Sequence, residues 1–195
     1  MLFSGIPFLY YFLPAVLLLY AVSPKKLKNF VLLITSLVFY GIGGPKYLVL
    51  MIGSILVGYI GGLFIGNFES KAAKKTALIL TIGILIGLLG YFKYADFTVS
   101  NVNTLFHSSI PLPNVVLPIG ISFYTFQILS YDVDVYRGTP VQKNLLNFAA
   151  YVSMFPQLIA GPIVRYTDVE RELSVRTHGI EPVYNGIRRF IVGLS

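Results

Sequence analysis

The side chains in this sequence with the most evident chemical potential are two carboxylates, Asp132 and Asp134, and two histidines, His107 and His178. Paired carboxylates can share general acid and base work when both reach one reacting centre. Here they stand two positions apart in a segment that reads as helical, so they point to different faces, and Asp134 is placed to pair with Arg137 three residues on. His107 has no acidic or nucleophilic neighbour and reads as hydrated polar surface, while His178 sits in the hydrophilic stretch ERELSVRTHGIEP. There is no cysteine, which excludes thiol nucleophiles, thiolate metal sites and lipidation at sulfur.

The elements that must carry these residues are apolar. Of 195 residues, 55% are hydrophobic and 12% charged, against about a quarter charged in an ordinary soluble domain, so the chain reads as a membrane protein. At about 20 residues per crossing there is room for some six or seven spans. Through Lys93 the chain has eight lysines and one acid, Glu69; from Tyr94 onward, one lysine and six arginines meet seven acids. The formal charge of +7 therefore lies wholly in the first half. Short basic clusters between apolar runs are the mark of loops held at a cytoplasmic face, not of a groove that tracks phosphates, and nucleic acid is excluded as a partner.

The uncharged residues 1–24 precede Lys25, Lys26 and Lys28. A signal peptide carries its positive charge before the apolar run, so this segment reads as a retained helix that runs from outside to inside. Residues 29–45 return outward, 47–68 come back in, and Lys71, Lys74 and Lys75 fall on the same side as the first cluster. A fourth span covers 76–92, and residues 95–113 form a short interfacial helix on the outer face, ended by Pro111 and Pro113. Gly58, Gly62 and Gly66, then Gly83 and Gly87, recur four apart, which strips side chains from one helix face. Close helix packing is the reading favoured over a lipid groove.

Two later stretches are more distinctive. Residues 117–138 read LPIGISFYTFQILSYDVDVYRG, with hydroxyls and an amide that must face protein or a wet cavity at membrane depth. Residues 148–166 read FAAYVSMFPQLIAGPIVRY, in which Pro156 and Pro162 interrupt one apolar run. A broken helix survives in a membrane only where its freed backbone groups find partners. Residues 156–162 are thus either a cavity wall or a kinked packing helix. Gln127, Tyr131, Gln157, Gly161, Pro162 and Arg165 are the polar or backbone-freeing positions of the two stretches, and are the candidates for lining a substrate passage.

These two blocks, the opening LFSGIPFLYYFLP and the segment GYFKYADF together resemble the N-terminal part of the membrane-bound O-acyltransferase superfamily. The likeness is to its bacterial alginate O-acetylation branch, with the teichoic-acid D-alanylation proteins as cousins. The resemblance implies a multi-pass protein of the bacterial inner membrane that moves an acyl group through the bilayer to hydroxyls of an extracytoplasmic polysaccharide. Its implied partners are an acyl donor, the polysaccharide acceptor and other cell-envelope modification proteins, and no cofactor is implied. The family's membrane-embedded histidine, in a later segment, is matched by neither His107 nor His178, and the accompanying tryptophan-rich segment has no counterpart, so no catalytic residue carries over.

The expected fold class is all-α: a polytopic integral membrane protein of about six transmembrane helices, an interfacial helix and the start of another helix near FIVGLS. Residues 1–195 are expected to form the N-terminal portion of a single multi-span domain, inactive alone. The second reading is a small, complete transporter or channel, supported by the polar helix at 117–137 and the break near Pro162, though without the inverted repeat common in transporters.

Overall fold

The computed structural model describes residues 5–158, 164–174 and 179–194. A π-helical turn, Pro7–Phe12, leads into α1, Leu13–Val22. Pro14 has no N–H for the carbonyl one turn earlier, and the chain widens at this point. The helices α2, Lys28–Gly43, α3, Pro45–Asn67, and α4, Lys71–Phe106, follow as antiparallel neighbours. Next come α5, Ile121–Tyr136, α6, Leu145–Ser153, and the single turn α7, Phe155–Leu158. Finally α8 spans Tyr166–Ser174 and α9 spans Ile180–Leu194. Every regular element among the described residues is helical.

Three stretches are long and apolar enough to cross a membrane: Lys25–Gly43, Pro45–Asn67 and Lys71–Phe106. The protein is an all-α, multi-pass membrane protein. At the other expected spans, in residues 1–24, 117–137 and 148–166, the helices among the described residues are shorter. The 16 residues of α5 extend about 24 Å at 1.5 Å per residue, less than the roughly 30 Å hydrocarbon core.

The interfacial helix expected over 95–113 is not separate. Residues Tyr91 to Ser109 contain neither glycine nor proline, so nothing interrupts α4, which continues for 36 residues. It ends at His107, in the left-handed conformation with φ 47°. The polar residues here secure the return of the chain: Asn103 Oδ1 accepts from the Ile110 N–H and the Ser108 hydroxyl, each at 2.9 Å, and Asp96 Oδ2 accepts from the Val115 N–H at 3.1 Å.

On α3 the glycine stripe is a packing surface. A methyl on Gly58 would meet Ile128 Cγ2 at 2.1 Å, on Gly62 the Tyr131 ring at 2.7 Å, and on Gly66 Val141 Cβ at 2.9 Å. Gly61, on the adjoining face, stands as close to Thr81 of α4. At Gly83 and Gly87 a methyl would meet no described atom within 4 Å, so the same spacing on α4 packs against none of the described residues.

Two features place the basic residues together. The Tyr59 hydroxyl donates to the Lys143 carbonyl at 2.6 Å, and Asn29 Nδ2 donates to Asn147 Oδ1 at 2.8 Å. The start of α2, the end of α3 and the turn before α6 therefore share one end of the bundle. Lys25, Lys26, Lys71, Lys74, Lys75 and Arg137 flank that end, and the Lys28 ammonium lies 4.6 Å from the centre of the Tyr20 ring.

Gly62→Ala in the 195-residue chain is expected to cost about 1–3 kcal/mol through overpacking against Tyr131. Gly83→Ala should be neutral or slightly stabilising, by up to about 1 kcal/mol from helix propensity. Thermal unfolding of the two variants in the same detergent checks the contrast.

Candidate functional site

The broken apolar run after α6 organises the candidate site. Asn144 caps α6, its Oδ1 accepting from the Leu146 N–H at 2.9 Å and the Asn147 N–H at 3.4 Å. Every residue from Phe148 to Ser153 is buried. The helix stops at Met154, which leaves the helical region two residues before Pro156, and Pro156 has no N–H with which to continue the ladder of α6.

In an unbroken helix the Phe155 N–H would donate to the Tyr151 carbonyl. Here it donates to Ser36 Oγ of α2 at 3.3 Å. The Tyr151 carbonyl, thereby released, accepts from Gln127 Nε2 at 3.2 Å, and the same amide nitrogen reaches Gln157 Oε1 at 3.2 Å. Two side chains, one from each flanking helix, thus replace one lost backbone bond. Gly120, which opens α5 with φ 78°, is needed close by: a methyl there would lie 2.8 Å from the Leu158 carbonyl oxygen.

One turn along α5 from Gln127, Tyr131 is fully buried. Its hydroxyl accepts from the Gln142 N–H at 3.0 Å. Its ring centre lies 4.7 Å from that of Phe148 and 5.2 Å from that of Tyr166, and Tyr166 is in turn 5.2 Å from Tyr151. The Tyr151 hydroxyl donates to the Val164 carbonyl at 2.8 Å, and the Gln142 side-chain amide donates to the Tyr166 hydroxyl. Burial raises the Tyr166 phenol above its ordinary pKa, with the Gln142 hydrogen bond acting in the opposite sense.

The excursion from α6 to α8 returns to its origin. Asn29 Nδ2 serves both Asn147 Oδ1, at the start of α6, and the Leu173 carbonyl, at the end of α8, at 3.1 Å. The start of α6 and the end of α8 therefore lie at one end of the bundle, and the described residues between them form an element that leaves and re-enters there. Four rings, Phe8, Phe12, Phe39 and Phe155, close its outer side with centroids 5.2–6.0 Å apart.

Of the six passage candidates, Gln127, Tyr131 and Gln157 come together around this element. Arg165 precedes Tyr166 and is exposed. Gly161 and Pro162 lie outside the described residues, as does His178. Gln127 and Tyr131 are both buried among the described residues. Asp132 is fully buried beside Gly62, and among the described residues neither of its carboxylate oxygens, nor one buried oxygen of Asp134, has a hydrogen-bond partner. The expected Asp134–Arg137 ion pair is not formed among the described residues.

Sequence reasoning missed Ser36, Asn29, Gln142 and Tyr166. Only Asn144 carried a local signal, as a capping residue just before an apolar run. Chemically, the cluster is a buried set of tyrosines and amides, with Asp132 beside Tyr131 at Gly62. Among the described residues, no three metal-ligating side chains come together.

No family profile matches the chain, and no solved structure matches it. Among curated proteins, it is 42% identical over 200 residues to the probable alginate O-acetylase AlgI of Pseudomonas putida, covering 99% of this chain and 41% of that protein. Identity to the protein of the same name from Pseudomonas aeruginosa is 43%, covering 99% and 38%. The peptidoglycan O-acetyltransferase of Helicobacter pylori is 33% identical, covering 87% of this chain and 38% of that protein. The chain spans about 40% of the length of these curated relatives. An identity of this size runs across nearly every residue, so the chain is similar along its length to part of the alginate O-acetylases, in agreement with its resemblance to the membrane-bound O-acyltransferase superfamily.

Proposed function

We propose that these residues form the membrane scaffold of an O-acetyltransferase that passes an acetyl group through the bacterial inner membrane to hydroxyls of an extracytoplasmic polysaccharide such as alginate. The observation that carries the proposal is the 42% identity, over 99% of the chain, to a protein named for alginate O-acetylation. In such a transfer the sugar oxygen bonds to the acetyl carbonyl carbon, the donor's leaving group departs, and a base takes the hydroxyl proton. The Tyr131–Tyr151–Tyr166 cluster is sealed, and His107 is an exposed helix cap. The base therefore comes from outside the described residues, and the acyl donor and other envelope-modification proteins act with the whole enzyme. A small transporter is not favoured, since the relatives are named for O-acetylation and are much longer than this chain.

The same proposal sets the N-terminus outside, with the shared basic end of the bundle at the cytoplasmic face. The chain has no cysteine, so a single introduced thiol reports side without background. Asn114→Cys is expected to react with a membrane-impermeant maleimide on intact spheroplasts, and Ser70→Cys only after permeabilisation; the reverse pattern would invert the orientation.

Membranes carrying only residues 1–195 are expected to transfer no acetyl to polymannuronate above empty membranes, while membranes carrying a longer frame that continues past Ser195 acetylate it. Activity of the short chain would overturn the scaffold role, and inactivity of both would overturn acyl transfer.

Gln127→Leu strands the Tyr151 carbonyl and should cost about 1–3 kcal/mol, more than Gln157→Ala, which leaves that carbonyl served. Thermal stability measured beside acetyl transfer in the longer protein separates the roles. A Gln127→Leu protein of normal stability with lost transfer would make Gln127 a passage residue and not a backbone support.

A further inference from the structure

Beyond acyl transfer, and independently of it, the last helix carries an interaction surface of its own. In α9 the residues Val183, Tyr184, Ile187, Phe190 and Ile191 are all exposed. At 100° per residue they fall within about 120° of arc, a single apolar stripe. Arg188, Arg189 and Asn185 occupy the other side and line a polar recess of about 580 Å³ with Val192 and Gly193. The sequence suggested the start of a transmembrane helix here. Over the described residues α9 covers Ile180–Leu194 as an amphipathic helix, with Arg188 and Arg189 on the face opposite its apolar stripe.

Its setting identifies what covers the stripe. The end of α8 is tied to Asn29, at the basic end of the bundle, and α9 follows it in the chain. Phe190 lines an apolar groove of about 610 Å³ together with Val16, Leu17 and Tyr20 of α1, Leu32 of α2 and Phe155. On the same helix α1, Leu17, Leu18 and Leu19 are exposed and, in a membrane-spanning protein, face lipid. The apolar stripe of α9 therefore continues a lipid-facing surface at Phe190, while its arginines occupy the opposite face of the helix.

We propose that α9 lies in the plane of the membrane interface, with its apolar stripe in the acyl region and Arg188 and Arg189 on the phosphates of anionic phospholipids. An amphipathic helix gains both apolar burial and headgroup attraction in this position.

The test uses the 195-residue chain reconstituted into vesicles of phosphatidylcholine, with or without phosphatidylglycerol. A fluorophore is attached at Ile187→Cys on the stripe or Asn185→Cys on the polar side. The stripe probe is expected to be quenched by lipids spin-labelled near the headgroup, and the polar-side probe by aqueous iodide. Arg188→Gln with Arg189→Gln should lower the ratio of docked to free stripe probe about fivefold per arginine in anionic vesicles, with little change in neutral ones. Protection of both positions from iodide would mean that the helix spans the bilayer. A stripe probe reached by neither quencher would mean that protein covers it. Equal docking with and without the arginines would remove the headgroup contact. Each of these outcomes overturns the proposal.

Discussion

The structure depends on one constraint: a backbone N–H and a backbone carbonyl, separated by a proline break at membrane depth, must each find a partner where no water serves them. Ser36 takes the N–H of Phe155 and Gln127 takes the carbonyl of Tyr151. Because the two side chains come from α2 and α5, repairing the break also fixes where those helices stand relative to α6. The replacement bonds are modest in net energy, yet leaving either backbone group unpaired would cost more than forming the bond gains. The break is thus a point of attachment and not a defect.

Close approach makes the repair geometrically feasible. Gln127 and Tyr131 reach α6 because α5 lies against the bare face of α3, where Gly58 and Gly62 offer no side chain. Larger residues there would hold α5 away and open the aromatic cluster of Tyr131, Phe148, Tyr151 and Tyr166. In a bilayer the hydrophobic effect gives little preference for helix–helix over helix–lipid contact, so this fitting of glycine to aromatic ring supplies much of the association. Asp132, buried beside Gly62, is a costly residue held in the same seam.

Sequence periodicity and charge spacing revealed the helices, the shared basic end and the broken run at Pro156, since each follows from local chemistry. They also drew attention to Gln127 and Gln157, because an amide in an apolar segment requires a partner. The partners themselves were not legible. Ser36 and Asn29 look like ordinary polar residues on a spanning helix, and their importance comes from residues more than a hundred positions away. Gly83 and Gly87 show the same limit from the other side, since a packing motif does not state whether a neighbour exists. The uninterrupted α4 was readable in principle, because a polar stretch lacking glycine and proline contains nothing that stops a helix.

The long-range bonds of α2 also bear on the order of assembly. Asn29 and Ser36 find Asn147 and Phe155 118 and 119 residues later, and Leu173 144 residues later. At a synthesis rate of about 5–20 residues per second, α2 enters the membrane roughly 6–30 seconds before its last partner is made. A serine can spend that interval bonded to its own helix backbone, so Ser36 is a polar group that lipid tolerates while it waits. Asn29, at the helix start, waits at the interface, where water serves it. The two side chains that anchor the re-entrant element are thus of the types, and at the depths, that an unfinished membrane protein can hold until the rest of the chain arrives.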